Sequence, residues 1–432
     1  MKVFQIIIIL FLASSMDALS QQFWLNKGKI SNQNLTKCSF VDTLNGWAVG
    51  DSGTIIYTSN GGASWTIQNS KIREYMTNVF FLNKRLGWAI GWGLNPDFYG
   101  TYILKTTNGG NTWDTSRYHV PDTYIRTIYF MDSLTGFMGG GPATLLKTTN
   151  AGINWYKCGI DTTNVASLFP VSKFRFYSRN YGFAFGGVMD IAGVVWITTN
   201  NGNFWDAKIV APEPITDAKF YDSLHAVAIG GDYEYGASIL KTTNGGVNWD
   251  YKNMEIFGVP RALSFRTESE GWAAMGDLPK FFMTLDSGSS WNEVDTPDTA
   301  RVFDVTFINN KFGVGVGMFG VFVKFNSALI NIGENISSVN KFSLKQNYPN
   351  PFNPNTTIEY VISDISRVEI EVYNLLGRET ETIYKGIKPP GEYKVRFSGS
   401  SYPSGIYFYR LIIKDIKTGN TKAITKKMVL LK

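Results

Sequence analysis

Four aspartates stand in polar segments between apolar stretches, where a substrate could reach them: Asp97, Asp190, Asp232 and Asp277. Two carboxyl groups that flank a sugar linkage, one protonated and one ionised, can hydrolyse a glycosidic bond. The sequence gives no distance between any two of these carboxyl groups. A glycosidase is therefore kept as an alternative, and no catalytic residue is assigned.

Aromatic and arginine side chains accumulate in and around the same segments, such as Trp92–Tyr99 (WGLNPDFY) and Asp232–Tyr235 (DYEY), and Ile209–Pro214 is rich in proline. Gathered at the mouth of a channel, such groups would suit a peptide or a glycan. The alternative is a set of solvated variable loops that bind nothing. The candidate ligand-binding residues are Arg73, Trp92, Phe98, Tyr99, Arg126, Asp190, Tyr233, Tyr235 and Arg261.

Histidine and cysteine offer little chemistry in this chain. The only histidines, His119 and His225, fall in different repeat units, and so do the only cysteines, Cys38 and Cys158. This distribution does not support a Ser-His-Asp triad or a metal site built on two histidines. Cysteines in non-adjacent units are too far apart for a disulfide. We expect no metal and no cofactor.

These residues are positioned by a repeat whose clearest part is an octet that begins with Thr and ends with Trp. In each octet the Thr and the Asn or Asp two residues later can bond turn backbone, the Gly accepts a positive φ, and the Trp can pack between sheets. The octet positions are Thr58, Asn60, Gly62, Trp65; Thr106, Asn108, Gly110, Trp113; Thr148, Asn150, Gly152, Trp155; Thr198, Asn200, Gly202, Trp205; Thr242, Asn244, Gly246, Trp249; and Thr284, Asp286, Gly288, Trp291.

The octet resembles the Asp box, or bacterial neuraminidase repeat. In that family it joins the third and fourth strands of a propeller blade, on the face away from the ligand, so the resemblance implies a structural role for every octet residue. A sialidase would also need an arginine triad opened by a Phe/Tyr-Arg-Ile-Pro segment, and this sequence contains none.

A second repeated element precedes each octet and occurs seven times. A Phe stands six residues before a Gly, which is Ala in the fifth unit; the seven Phe are Phe40, Phe81, Phe130, Phe176, Phe220, Phe265 and Phe307. Apolar residues alternate before each Phe, as in a buried strand. Each unit is therefore predicted to form four strands, which we label A to D in chain order. Seven such units predict an all-β, seven-bladed β-propeller.

In a propeller, alternate loops reach opposite faces. The A–B turns and octets should share one face, the turn face, and the B–C and D–A loops the other, the loop face. The triplets that begin at Asp42, Asp132 and Asp222 lie in A–B turns. They resemble an O-glycosylation acceptor of some Gram-negative bacteria, but they also suit tight turns, which is the interpretation we favour.

The seventh unit ends at Phe325 without an octet, whereas Phe23-Trp24-Leu25 precedes the first unit without strands A to C. We therefore expect Gln22 to Lys29 to be the fourth strand of the last blade, which would remove the exposed edges. Residues 22 to 326 are similar to the propellers of photosystem II assembly and stability factors. That resemblance implies a binding scaffold and assigns no ligand.

The two ends of the chain carry export signals. Met1 to Ser20 predicts a secretory signal peptide, which leaves a propeller domain from residue 21 to 326. Residues 327–341 predict a linker, and residues 342–432 a small Ig-like β-sandwich. This tail resembles the type A sorting domain of the type IX secretion system through Asn347, Tyr348, Pro349, Asn350, Pro351, Phe352, Asn353 and Pro354, and through Lys427, Met428, Leu430 and Leu431.

Charge and hydropathy complete the prediction. Of 41 Lys and Arg and 35 Asp and Glu, residues 342–432 hold 14 and 8, so the remaining residues are balanced at 27 and 27. A neutral repeat region argues against a nucleic-acid partner, and no segment is apolar enough for a membrane helix. We expect a monomeric, non-enzymatic, secreted or cell-surface propeller of a Gram-negative bacterium, exported through the periplasm, with the type IX secretion machinery and an unknown protein or glycan ligand as partners.

Overall fold

The computed structural model describes residues 22–329 and 342–432. The predicted signal peptide and most of the predicted linker lie outside these residues. The propeller begins with strand β1 (Trp24–Lys29), and short 3-10 turns occur at Asp51–Gly53, Val165–Leu168, Pro297–Thr299 and Met318–Gly320. The sheets confirm the predicted all-β propeller followed by a small β-sandwich.

Each blade is an antiparallel sheet that follows the order of the chain. Blade 1 has β2 (Leu35–Phe40), β3 (Gly46–Gly50), β4 (Ile55–Thr58) and β5 (Thr66–Gln68); blade 2 has β6 (Tyr75–Phe81), β7 (Gly87–Asn95), β8 (Phe98–Thr106) and β9 (Asp114–Arg117); blade 3 has β10 (Tyr124–Phe130), β11 (Gly136–Gly141), β12 (Thr144–Thr148) and β13 (Tyr156–Lys157).

The later blades repeat this plan, with one added strand in blade 4 that runs parallel to its fourth strand. Blade 4 has β14 (Gly159–Ile160), β15 (Val171–Phe176), β16 (Gly182–Val188), β17 (Ala192–Thr198) and β18 (Phe204–Ala211); blade 5 has β19 (Ile215–Phe220), β20 (Ala226–Asp232), β21 (Gly236–Thr242) and β22 (Asp250–Asn253); blade 6 has β23 (Ala262–Phe265), β24 (Gly271–Ala274), β25 (Lys280–Thr284) and β26 (Asn292–Asp295); blade 7 has β27 (Val302–Asn309), β28 (Phe312–Gly317) and β29 (Val321–Phe325).

Strand β1 completes the seventh blade, as the sequence predicted. It pairs beside β29, in the order β1-β29-β28-β27. Trp24 is buried there, and its ring lies edge-on to Phe325 with 5.6 Å between centroids. The N–H of Asn326 donates to the carbonyl of Phe23 at 2.9 Å. The two ends of the repeat region therefore share one sheet, so no blade is left with three strands.

The repeated Phe and Gly are a packing pair. In the first unit Phe40 lies opposite Gly46 in the sheet, and a Cβ added to that Gly would lie 2.3 Å from the Phe ring. The same close approach occurs at Gly87, Gly136, Gly182, Gly271 and Gly313. Because the Gly has no side chain, the aromatic ring of the Phe can lie flat on the neighbouring strand. There it contacts a residue of the adjacent blade.

The six octets connect the third and fourth strands of blades 1 to 6, and their hydrogen bonds are nearly identical. In the first octet the Thr58 hydroxyl accepts from the N–H groups of Asn60 and Gly62, and the Asn60 side chain accepts from the N–H of Ser64 at 2.9 Å. Gly61 and Gly62 adopt positive φ. The N–H of Gly61 reaches the carbonyl of Leu44 in the A–B turn, which confirms that both elements lie on the turn face.

The three aspartate triplets in A–B turns are turn formers. The Asp42 side chain accepts from the N–H groups of Leu44 and Asn45 at 2.8 and 2.7 Å. Asp132 and Asp222 make the equivalent pairs of bonds. Side chains that accept from backbone two and three residues ahead stabilise tight turns, so these triplets form the turns that the sequence predicted.

The tail contains two sheets that enclose one core. One sheet has the order β30 (Phe342–Leu344), β31 (Asn355–Ile362) and β34 (Gly391–Ser398); the other has β33 (Glu379–Lys388), β32 (Ser366–Asn374), β35 (Gly405–Asp415) and β36 (Thr421–Leu430). Side chains from both sheets, among them Ile358, Tyr360, Ile370 and Tyr409, form a single buried cluster. This arrangement is a β-sandwich.

The two sequence motifs of the tail meet in this sandwich. The N–H of Phe352 donates to the carbonyl of Val429, and the N–H of Leu431 donates back to the carbonyl of Phe352 at 3.0 Å. Phe352, Met428 and Leu430 are buried in the common core. The proline-rich motif thus pairs with the last strand and fixes the end of the chain.

Candidate functional site: the channel mouth on the loop face

The mouth of the central channel is lined by one residue from each blade, which lies in strand A or, in blade 6, just before it. In six of the seven blades a β-bulge shifts the register of strand A. The shift lies between the fifth and the third residue before the repeated Phe. The extra residue turns its side chain into the channel. In these six blades the extra residues are Thr36, Thr77, Arg126, Ser172, Thr216 and Phe303. In blade 6, Arg261 stands just before β23, four residues before Phe265. All seven side chains line a cavity of about 460 Å³ on the loop face.

Trp92 forms an aromatic wall of this cavity. Its indole N–H donates to the carbonyl of Ile125 at 2.6 Å, and its ring lies 5.9 Å from Tyr75 and 5.8 Å from Tyr124. The sequence placed Trp92 in a variable loop, but β7 extends to Asn95, so the structure corrects this position. The indole is held rigidly by a strand, because the hairpin of blade 2 is longer than apolar alternation indicated.

Arg261 lines the same cavity and has an anionic partner. Its guanidinium lies 2.7 Å from the Asp277 carboxylate, which also accepts a hydrogen bond from the Tyr233 hydroxyl at 2.6 Å. Burial alone would raise the pKa of Asp277, but Tyr233 and Arg261 together lower it below its usual range. The guanidinium also lies over the Phe303 ring, 5.2 Å from its centroid.

Arg126 differs from Arg261 because its guanidinium has no hydrogen-bond or ion-pair partner in residues 22–329 and 342–432. Solvent reaches its side chain through the channel. The surrounding walls still remove enough water to lower the pKa of Arg126 from its ordinary value. The mouth therefore presents one uncompensated positive charge beside aromatic rings.

The other predicted binding residues lie away from the cavity lining. Phe98 packs on Tyr102 at 4.8 Å and carries the guanidinium of Arg117 over its ring at 4.6 Å. Arg73, Tyr99, Asp190 and Tyr235 are exposed on loops and strand ends and do not line the cavity. Only Trp92, Arg126 and Arg261 of the predicted set line the cavity, and Tyr233 touches it through Asp277.

The four candidate carboxylates do not come together at the mouth. Asp277 lines the cavity but is held in its ion pair, and Asp97 and Asp190 lie in exposed turns outside the lining. Asp232 was expected in an accessible loop, and the structure corrects this expectation. It ends β20 and is 1% exposed, because its side chain turns inward between blades.

A buried charge cluster further down the channel was missed at the sequence level. Asp217 pairs with Lys173 at 3.1 Å and Arg175 at 2.7 Å, and Asp304 pairs with Lys37 at 2.5 Å. These groups line a second chamber of about 510 Å³ that opens toward the turn face. A signal existed, because Lys37, Lys173, Asp217 and Asp304 all stand three residues before the strand-ending Phe.

The cysteines and histidines make few polar contacts. Cys38 and Cys158 are free thiols, and the Cys38 thiol donates to Asp304 at 3.4 Å. His225 lies against Asp222 in its A–B turn. Within the described residues no three His, Cys, Asp or Glu side chains are grouped to hold a metal ion. In the same residues no helix is long and apolar enough to cross a membrane.

Comparison with solved structures supports the fold. YCF48 with a bound D1 peptide superposes with a TM-score of 0.56 at 18% identity, covering 70% of this chain and 97% of that one. YCF48 from Cyanidioschyzon merolae gives 0.54 at 19% identity, with 70% and 98% covered. The GH74 xyloglucanase from Xanthomonas campestris gives 0.53 at 11% identity, with 80% of this chain and 60% of that one covered. At these identities the likeness shows the propeller fold alone.

Sequence comparison assigns the tail. No curated protein shows significant similarity to the chain. Residues 346–430 match the family model of the secretion system C-terminal sorting domain. The match confirms the prediction made from the proline-rich motif and the closing basic-apolar strand, and it indicates export through the periplasm to the cell surface or the medium. The chain thus carries a β-propeller followed in sequence by a secretion system C-terminal sorting domain.

Proposed function

We propose that the protein is an exported, non-enzymatic propeller that binds an anionic protein or glycan ligand at the channel mouth on the loop face. Arg126 carries this proposal, because a cation without a partner is costly to desolvate until a ligand supplies the opposite charge. The rigid Trp92 beside it offers a flat apolar surface, and aromatic and arginine groups are the usual anchors of binding sites.

The mouth suits an extended chain that inserts one acidic group. Its volume of about 460 Å³ accommodates a few residues or sugars. The exposed Tyr233, whose hydroxyl donates to Asp277 of the lining, adds amphipathic contact area beside the mouth. A solved structure with the same fold, YCF48, is bound to D1 peptide. This precedent makes a peptide segment of a protein partner the first ligand to test.

The remaining parts of the chain serve export and rigidity in this proposal. Met1 to Ser20 acts as the signal for the inner membrane, and the type IX secretion machinery then reads the tail. The octets, which we take as Asp boxes, hold the third and fourth strands and contribute no ligand contacts. The mature protein acts as a monomer in the medium or on the outer-membrane surface.

A glycosidase acting on the same face is the rival function. It would need one carboxyl group held protonated near neutral pH. Of the carboxylates that line the mouth, Asp277 has a lowered pKa and Asp51 accepts a hydrogen bond from Asn34 at 2.8 Å. This pattern favours binding over hydrolysis.

Screening the full mature chain against peptide and glycan arrays, and against chromogenic glycosides, separates the two functions. We expect saturable binding to acidic ligands and no turnover. Glycoside turnover that disappears in Asp97→Asn, Asp190→Asn or Asp277→Asn would establish the rival function instead.

A further inference from the structure

The propeller buries five carboxylates among the described residues, and they fall into two groups. Asp217, Asp304 and Glu270 each have a basic partner, respectively Lys173 with Arg175, Lys37, and Arg266. Glu213 and Asp232 are equally buried, at 1% exposure each, and no lysine, arginine or histidine of the described residues pairs with them. Burial of an ionised carboxylate without a partner is strongly unfavourable.

Glu213 and Asp232 reach the same gap between blades 4 and 5. Gly230 pairs with Ser238, and Leu240 pairs with Tyr251, so the side chains of Asp232, Ser238 and Tyr251 lie on one face of blade 5. Leu240 and Tyr251 pack on this face against apolar residues of blade 4. Glu213 enters from the connection between the two blades, and the Tyr251 hydroxyl donates to its Oε1 at 2.6 Å.

Each of the two carboxylates has one oxygen fixed by the protein and the other left bare. Asp232 Oδ1 accepts from the N–H groups of Glu234 and Tyr235 at 3.0 and 2.6 Å, and Glu213 Oε1 accepts from Tyr251. Glu213 Oε2, Asp232 Oδ2 and Ser238 Oγ are buried with no hydrogen-bond partner. Hydrogen bonds that orient one oxygen of a carboxylate toward a metal are a regular feature of metal sites.

The polar neighbours of the two carboxylates are uncharged side chains. The Tyr251 hydroxyl donates to Glu213. Asn253 also faces this side of the sheet, but its amide is directed to the carbonyl of Tyr235 at 3.0 Å. None of these neighbours brings a positive charge to the gap.

We propose that Glu213, Asp232 and Ser238 bind a divalent cation of the hard, oxygen-preferring class, calcium in the first place, between blades 4 and 5. The two carboxylates balance its charge, and the Ser238 hydroxyl supplies a third oxygen. Water and backbone carbonyls complete the six to eight oxygen ligands that calcium takes. The cation would join adjacent blades, as the ion pairs of Asp217 and Asp304 do with lysine and arginine.

Thermal unfolding of the full mature chain tests the site, with calcium chloride, magnesium chloride and EGTA as additions at constant ionic strength. Extracellular calcium-binding modules bind calcium with Kd of about 10⁻⁴ to 10⁻³ M, and we take this range for the site. About 10 mM calcium should then raise the melting temperature by about 3 to 5 °C. EGTA should reverse the rise, and magnesium should give a smaller one because it demands stricter octahedral geometry.

Variants locate the effect. Asp232→Asn and Glu213→Gln should lose the calcium response, whereas Glu234→Gln, an exposed neighbour whose carboxylate faces solvent, should retain it. Ser238→Ala should keep the fold and weaken calcium binding, measured by calorimetric titration. Absence of calcium binding to the wild-type chain in that titration would overturn the proposal, as would equal responses of Asp232→Asn and wild type. A third result would also overturn the proposal: without calcium Asp232→Asn melts at a higher temperature than wild type, and wild type does not respond to calcium. That result would show that Glu213 and Asp232 are two unpaired buried acids and not cation ligands.

Discussion

At the scale of single residues, the repeated Gly is required by the Phe that lies on it. A Cβ added to Gly136 would stand 2.6 Å from the Phe130 ring, which stacks at 3.4 Å on Trp88 of the adjacent blade. Overpacking of this kind costs about 1 to 3 kcal/mol. We therefore expect Gly136→Ala to lower the free energy of unfolding by that amount in urea titrations. Gly141→Ala, whose added Cβ meets its nearest atom at 3.5 Å, is the control; equal losses in both would contradict this account.

Asp217 gives a prediction about acid stability. Burial would raise its pKa, but the charges of Arg175 and Lys173 outweigh burial and hold the pKa at about 2, below the ordinary 3.8. A lowered pKa stabilises the fold above the unfolded value, and that stability is lost as the pH falls from about 4 to about 2. The free energy of unfolding of wild type should therefore drop over this window.

The variant Asp217→Asn should make this acid limb shallower. At pH 7 it should also lose about 3 to 5 kcal/mol, because Lys173, whose side chain is only 13% exposed, loses the carboxylate with which it pairs. Arg175 is more exposed and keeps its hydrogen bond to the carbonyl of Ala218. Asp97→Asn, in an exposed turn, should change neither property. Urea unfolding at pH 7, 4 and 3 measures all three proteins, and a wild-type acid limb reproduced unchanged by Asp217→Asn would refute the assignment.

At the scale of elements, β1 is the strand on which ring closure depends. Truncation of a buried tryptophan costs about 3 to 5 kcal/mol, and loss of β1 would expose the edge of β29. Trp24→Ala should lower the melting temperature strongly, and deletion of residues 22–29 should lower it further. Lys27→Ala, on the exposed part of the same strand, should have little effect. An unchanged melting temperature in the deletion would reject the role of β1 in closure.

Sequence patterns predicted the elements whose formation depends mainly on residues close together in the chain. The period of the Phe and Gly pairs and the turn chemistry of the octets indicated seven blades, and the missing fourth strand indicated β1. The bulge beside Arg126 was not predicted, although a one-residue insertion interrupts the alternation of apolar residues. The buried Ile125 stands three residues before Ile128, whereas Ile128 stands two residues before Phe130, and the sequence analysis used only the second spacing. The burial of Asp232 was not predicted either, since a polar residue at a strand end resembles a loop until its neighbours in the adjacent blade are known.

At the scale of the whole molecule, we expect the sorting domain at residues 346–430 to serve export and the propeller to fold without it. Its core is formed by its own two sheets. We expect removal of residues 342–432 to leave a folded propeller that accumulates in the periplasm, because export addresses are read by a receptor rather than needed for packing. We also expect cleavage within or near residues 327–341, the predicted linker. Fractionation of the source bacterium measures both, and full-length chain retained mainly in the periplasm of wild-type cells would contradict this prediction.

Affinity measurements on paired arginine variants show whether the channel mouth on the loop face binds an anionic ligand through Arg126. For ligands identified on the arrays, Arg126→Ala should weaken binding by about 10-fold to 100-fold, as expected when a charge-assisted hydrogen bond worth about 1.5 to 3 kcal/mol is lost. Arg85→Ala, which removes an exposed arginine from an A–B turn on the turn face, should bind like wild type. Equal affinity of Arg126→Ala and wild type would show that the ligand does not bind through Arg126, and so would an equal loss in Arg126→Ala and Arg85→Ala.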